Sequence, residues 1–417
     1  MITLGEIVLM GTGRIICLCG IPLRWLLFLL NFYVFVLCVF LRRSFPFPKQ
    51  TKISVLFVFT NLVIWGLFLS IINRNDFHYA FADSNGLVCL LYTLPWFCFA
   101  FYEKWSLRFV VDSFTSLTFV LSLGANLVIL LYVLGHVDLY VFAAHMRNLN
   151  FEICSGLMPG GFPRIYLPQS LLFLPAYLFL LSEGIWKGRL SVLKYLMLTS
   201  IITALLFSYA RGLWLGLVFG VVVLLIASAQ KMPVGKYFPR IAVFLLFPVL
   251  VVGLANVKYV KLLRLRFLST WDTTNDVSNV TRFSQVPPLL GEWQKYPLLG
   301  KGYGATIEGL VRSKKEPYSF ELVPLSLLMK LGLLGVVWWV IYFLQLMIAS
   351  KASRDKIERT LRTTWVRKAI FSSIAAVIIS SMTNPYLLNS VGMGIIAIFV
   401  LTLEIDKANQ RYQPLIN

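Results

Sequence analysis

Apolar runs of about 20 residues, the length that crosses a bilayer as a helix, recur along the chain. They lie near 3–20, 22–41, 53–72, 87–102, 108–134, 166–183, 192–210, 212–229, 241–257, 322–349, 369–384 and 388–405. Polar residues gather between these runs rather than alternating within them, and the helices read as nearly charge-free. The pattern predicts an all-α polytopic membrane protein. Arg14 and several glycines interrupt the first run, so the expected number of transmembrane helices is eleven or twelve. The longest interruption, 258–321, divides the chain into three. Residues 1–257 carry about eight helices, 258–321 form one large loop, and 322–417 hold the remaining helices and a tail.

Lysine and arginine are biased towards alternate loops. One set holds Arg42, Arg43, Lys49 and Lys52, then Lys104 and Arg108, Lys187, Arg189 and Lys194, and Lys231, Lys236 and Arg240. It ends with the basic 351–368 segment and the tail bearing Lys407 and Arg411. Short basic loops stay in the cytoplasm, which places this set inside, and both termini with it where the first run spans. The opposite set is then outside: 73–86, 135–165, the turn at Arg211, 258–321 and the turn at Asn384–Pro385. Long loops cross regardless of charge, so the ten Lys or Arg against six Asp or Glu in 258–321 do not reverse the assignment. They do put a basic surface on the outer face.

Composition agrees with lipid as the main solvent. Hydrophobic residues make up 58% and charged residues only 13%, against about 25% charged in an ordinary soluble domain. Loop topology accounts for most of the net charge of +20, and nucleic acid is not an expected partner. Cys17, Cys19, Cys38, Cys89 and Cys98 lie in apolar segments and only Cys154 in a loop. With three histidines, His78, His136 and His145, neither a disulfide framework nor a metal site is expected, and no cofactor. The N-terminus has no basic stretch followed by a cleavage site, so no removable signal peptide is expected.

Three outer patches carry candidate chemistry. In Ser208-Tyr209-Ala210-Arg211-Gly212, an arginine separates two apolar runs with almost no loop. It is either a turn whose arginine snorkels or a fixed cation facing a cavity, where the planar guanidinium fork suits phosphate. The second patch runs from Thr281-Arg282-Phe283 through Trp293 to Tyr296-Pro297-Leu298-Leu299-Gly300-Lys301-Gly302-Tyr303-Gly304. Its glycines either form an ordinary glycine-rich loop or allow tight turns that could bring backbone N–H groups to a phosphate. The third is Tyr318-Ser319-Phe320-Glu321-Leu322-Val323-Pro324, where the loop re-enters the membrane. Glu321 there is either a first-turn acid on a helix that Ser319 caps or a general base for a hydroxyl.

In this order the motifs resemble the O-antigen ligase and polymerase superfamily. The resemblance rests on the Arg-Gly turn, an Arg ahead of a Trp and a Pro-x-x-Gly-x-Gly run, and a polar residue opening a helix with Leu331-Gly332-Leu333-Leu334-Gly335. Asn384-Pro385-Tyr386-Leu387 follows, and the likeness covers roughly 190–405. It implies a GT-C-like glycosyltransferase in the bacterial inner membrane with its active site facing the periplasm. The donor would be an undecaprenyl-pyrophosphate-linked glycan, and neither a metal nor a nucleotide sugar is required. It further implies that Arg211 and Arg282 hold the pyrophosphate; Glu321, read above as a general base, would then take the proton of the acceptor hydroxyl. Arg147, Arg164, Lys301 and Tyr303 are further glycan or phosphate contacts, or plain surface groups. A chain-length regulator or flippase is a candidate partner beside the lipid bilayer. Ligases open the re-entry helix with a His-Asn pair, whereas this chain has Phe320-Glu321 and no histidine in the large loop. That difference favours a repeat-unit polymerase, with a ligase transferring glycan to lipid A-core as the alternative. A transporter would instead show broken helices and charges inside them.

Overall fold

The computed structural model of the protein describes residues 5–6, 8, 17–18, 21–42, 47–149, 151, 153–158, 161–229, 257–269, 276–310, 316–351 and 361–412. The expected spans near 3–20 and 241–257 lie largely outside these residues, as does the stretch 352–360 of the basic 351–368 segment.

The chain is mostly helical. In order, the helices are α1 (Leu23–Arg42), α2 (Lys49–Ile72), α3 (Phe77–Tyr102), α4 (Leu107–Val133), α5 (Leu139–Asn148), α6 (Pro168–Lys187) and α7 (Val192–Phe207). Then come α8 (Arg211–Ala229), α9 (Val257–Leu268), α10 (Val277–Ser284), α11 (Val286–Lys295), α12 (Val323–Ser350), α13 (Leu361–Ser381) and α14 (Ser390–Tyr412). Two small antiparallel hairpins join them: β1 (Cys17–Leu18) with β2 (Ile21–Pro22), and β3 (Cys154–Met158) with β4 (Phe162–Tyr166). Among the described residues seven helices, α1 to α4, α6, α8 and α12, are long and apolar enough to cross a membrane. The fold class is thus that of an all-α polytopic membrane protein. α7 is apolar but only 16 residues long. The expected spans 369–384 and 388–405 fall on α13 and α14, which carry charges at one end, Arg367 and Lys368 in one and Glu404, Asp406 and Lys407 in the other.

Two expected loops contain more structure than polarity suggested. Residues 73–86 are largely the start of α3, because Asp76 caps it by accepting from Tyr79 N at 3.1 Å. Stretch 258–321 contains α9, α10 and α11.

The fold divides into two compact units, neither contiguous in sequence: Met1–Leu29 with Leu107–Trp271 and Lys351–Ile379, and Leu30–Ser106 with Asp272–Ser350 and Ser380–Asn417. In the first unit, α4 and α7 are joined by a Ser122–Ser200 hydroxyl pair at 2.8 Å, and Asn126 Nδ2 donates to Ser200 O at 2.8 Å. Such polar contacts and small residues bring helices together where lipid supplies no hydrophobic drive. Lys194 Nζ, at the start of α7, lies 2.6 Å from Glu183 and 3.1 Å from Asp112, and Lys187 also reaches Glu183.

The second unit is built around α14, whose residues 391–405 are buried throughout. Beside it α2 is irregular: it passes through a π-helical stretch, Asn61–Phe68, before ending as α-helix. Trp65 O there accepts from Ser70 Oγ at 2.8 Å and from Tyr303 N at 3.0 Å. α12 is broken outright at Gly332, with φ 63° and ψ −173°. The segment 297–302 fills the break. Lys301 N and Gly302 N donate to Met329 O and Lys330 O at 2.9 and 2.8 Å, while Leu333 N and Leu334 N both donate, at 3.0 Å, to Pro297 O and Leu298 O. Trp65 Nε1 completes the stitch, donating to Leu299 O at 2.8 Å and Leu331 O at 2.9 Å. A Cβ on Gly332 would lie 2.3 Å from Leu298 O, and one on Gly300 would lie 2.4 Å from Lys330 O. Only glycines allow these backbones to meet.

Candidate active site

In the second unit, α10 begins at a cap formed by Asp276, which accepts from Asn279 N at 3.2 Å, and places Arg282 in its last turn. Buried Gln285 links α10 to α11 and accepts through Oε1 from Glu321 N at 3.0 Å. Glu321 Oε2 then lies 2.9 Å from Arg282 Nε, with 15% and 17% of the two side chains exposed. The Nε–H is not aimed at the oxygen, so the contact is a charge pair rather than an aligned hydrogen bond. Leu289, Ala305, Met329 and Phe320, the residue before Glu321, form a buried apolar cluster. The structure therefore brings together two expected site residues, with Gln285 holding the backbone of Glu321. Ser319 does not cap the re-entry helix: α12 starts four residues later, at Val323, and Glu321 precedes it.

Of its two readings, the glycine-rich run takes the structural one. Its five successive N–H groups, from Gly300 to Gly304, donate to Tyr296 O, Met329 O, Lys330 O, Trp65 O and Asp83 Oδ2. Spent in this way, they form a stitch rather than a phosphate cradle. Tyr303 is fully buried, its hydroxyl donating to Asn61 Oδ1 at 3.2 Å, and burial pushes the phenol well above its ordinary value. Lys301 Nζ pairs with Glu292 at 2.6 Å and is partly exposed. Neither position matches a free glycan contact.

Sequence reasoning missed the most deeply buried charge pair among the described residues of this unit. Lys330 Nζ, in α12 two residues before the break, lies 2.7 Å from Asp83 Oδ2 and 2.9 Å from Oδ1. It also sits over the Tyr318 and Phe320 rings, at 5.8 and 5.7 Å from their centroids. Asp83 comes from α3, and Gly304 N donates to it at 2.9 Å. A lone lysine inside an apolar run was the available signal, since an ionisable residue in a spanning segment is a functional candidate by default.

In the first unit the turn between α7 and α8 pivots on Tyr209, which takes φ 57°. Arg211, the first residue of α8, donates through Nη1 to Ser269 O at 2.7 Å and Ser269 Oγ at 3.1 Å and is nearly buried. Arg164, on β4, donates to Ser208 O at 3.1 Å and lies over Tyr166 at 5.5 Å. Arg266 of α9, not singled out by the sequence, lies over Tyr209 at 5.0 Å. Three arginines thus surround one turn. Arg147 is apart from them, exposed at the end of α5 with Nε donating to Ala143 O at 3.2 Å.

Among the described residues no group of three His, Cys, Asp or Glu could hold a metal ion. Compared with known proteins, the chain matches no protein-family model, no curated protein and no solved structure.

Proposed function

We propose that the chain is a membrane glycosyltransferase that polymerises undecaprenyl-pyrophosphate-linked repeat units on the outer leaflet of the inner membrane. The observation that carries the reading is the Arg282–Glu321 pair: residues singled out by motif order, 39 positions apart, meet at 2.9 Å. In the reaction the acceptor hydroxyl oxygen bonds to the donor sugar's anomeric carbon, opposite the leaving group. The bond from that carbon to the pyrophosphate oxygen breaks, and Glu321 takes the hydroxyl proton. Arg282 stabilises the charge that grows on the departing pyrophosphate, and its fixed guanidinium offers several donors, so it can serve the phosphate beside the carboxylate. For Arg211, support comes from the resemblance and from its setting as a nearly buried cation at the start of α8.

A transporter draws on a specific observation as well, the break in α12 beside the buried Asp83–Lys330 pair. Transporters leave such breaks open for substrate. Here the backbone of 297–302 occupies the break, which favours an anchored loop and hence the enzyme.

Purified protein in nanodiscs, given undecaprenyl-pyrophosphate repeat units, should build a ladder of lengths. Glu321→Gln should lower the rate by about 10²–10⁴-fold, the usual worth of a general base. Arg282→Lys should recover only part of what Arg282→Ala loses, because it keeps the charge and loses the fork. A single glycan attached to a lipid A-core acceptor would put a ligase in the polymerase's place. Normal ladders from Glu321→Gln would remove the base.

A further inference from the structure

Helix α9 has an outward face that neither water nor the fold explains. Its inner side is settled: Leu263 is buried with Phe162 and Tyr209, Leu262 and Trp214 pack around them, and Arg266 lies over the Tyr209 ring. Tyr209 O–H donates to Leu262 O at 3.4 Å, and Ser269, just beyond α9, receives Arg211. At 100° per residue these inner positions fall on one side of the helix. The opposite arc holds Lys261, Arg264, Leu265 and Leu268, all exposed, with Phe267 at its edge. Leu265, Phe267 and Leu268 are each about half exposed, at 52%, 50% and 51%.

The level of this face follows from what it packs on. Tyr209 lies in the turn joining α7 to α8, and α8 is long and apolar enough to cross the membrane. The turn is therefore at the end of a span, where hydrocarbon gives way to headgroups. A face in water would not present three large apolar side chains, and one in hydrocarbon would not carry Lys261 and Arg264. Cations interleaved with leucine and phenylalanine match the boundary itself, where apolar side chains reach acyl chains and cations meet lipid phosphates.

We propose that the outer face of α9 is a binding surface for anionic phospholipid, with Lys261 and Arg264 on the headgroups and Leu265, Phe267 and Leu268 against the acyl chains. This inference is independent of the glycosyltransferase reading. Charge complementarity selects the lipid: a zwitterionic headgroup gives a cation no net attraction, whereas each Lys or Arg near an anionic surface favours it by roughly fivefold.

The test uses the full chain in nanodiscs of phosphatidylcholine mixed with an equal part of phosphatidylglycerol. Photoreactive p-benzoylphenylalanine placed at position 265, and separately at 268, is irradiated and the adducts are identified by mass spectrometry. Lipid adducts should form, with phosphatidylglycerol preferred roughly twenty-fivefold, the product of the two cations' contributions. Lys261→Gln and Arg264→Gln should each cut the preference about fivefold without lowering total lipid adducts, while Arg264→Lys should preserve it. Equal adducts with both lipids would overturn the charge assignment. Adducts to protein, or none at all, would overturn the lipid surface, indicating a polypeptide partner or water.

Discussion

Asp83 and Lys330 mark the difference between a charge that is useful and one that is merely tolerated. Each is nearly excluded from solvent, and an isolated buried charge is far more costly than a pair. Asp83→Asn should keep an acceptor for Gly304 N but leave Lys330 without its counter-charge. The expected loss is about 3–5 kcal/mol. The double variant Asp83→Asn with Lys330→Met should be more stable than Asp83→Asn alone, as measured by thermal unfolding in one detergent. If the double variant is as unstable as the single, the pair is not the reason for the loss. Glu292 gives a second prediction at this scale. Burial pushes its carboxyl up, but hydrogen bonds and charge from Lys295 and Lys301 outweigh this and leave it lowered. Its contribution is therefore fully present above the ordinary glutamate pKa of about 4.3, and is lost as pH falls through the lowered value in the folded protein. Glu292→Gln should flatten the acid side of a plot of melting temperature against pH.

Among the elements, α12 is the one whose chemistry hydropathy could not disclose. The run 322–349 carries no charge except Lys330, and glycine is common in transmembrane helices, so the sequence supports one straight span. The break depends on what fits into it, a segment about thirty residues earlier. Gly332→Ala should be severely destabilising, because it combines positive φ with a Cβ 2.3 Å from Leu298 O. Overpacking alone costs about 1–3 kcal/mol. Retention of the wild-type melting temperature would mean that the break is not needed. The seven long apolar helices were legible because a 20-residue apolar run has few other uses. The meeting of Arg282 with Glu321 was legible only as a list of candidates, since the distance between them depends on Gln285 and on the packing of α10 and α11. The glycine run was misleading for a related reason: backbone N–H groups that could hold a phosphate serve equally well to hold a neighbouring backbone.

For the whole molecule, the division into two units cuts across the order of spans, and orientation rests on the charge of the short loops. The 258–321 stretch is expected outside and 351–368 inside. Cys154 is free and exposed and belongs to the outer set, so the wild-type chain should itself react with an impermeant maleimide in intact spheroplasts. With Cys154 replaced by Ser, Ser284→Cys should label and Ser353→Cys should not. The opposite pattern would invert the protein.

The bonds from Trp65 to Leu299 and Leu331 also join parts of the chain that are made far apart in time. They span 234 and 266 residues. At about 5–20 residues per second of translation, α2 waits roughly ten to fifty seconds for the segments that receive its indole. Until then a π-helical stretch and a polar ring edge must be sheltered by lipid headgroups, by water or by the insertion machinery. The second unit can therefore close only after α12 has emerged from the ribosome. Nascent chains stalled before residue 298 should leave α2 open to hydrogen exchange, and chains stalled well past α12 should protect it.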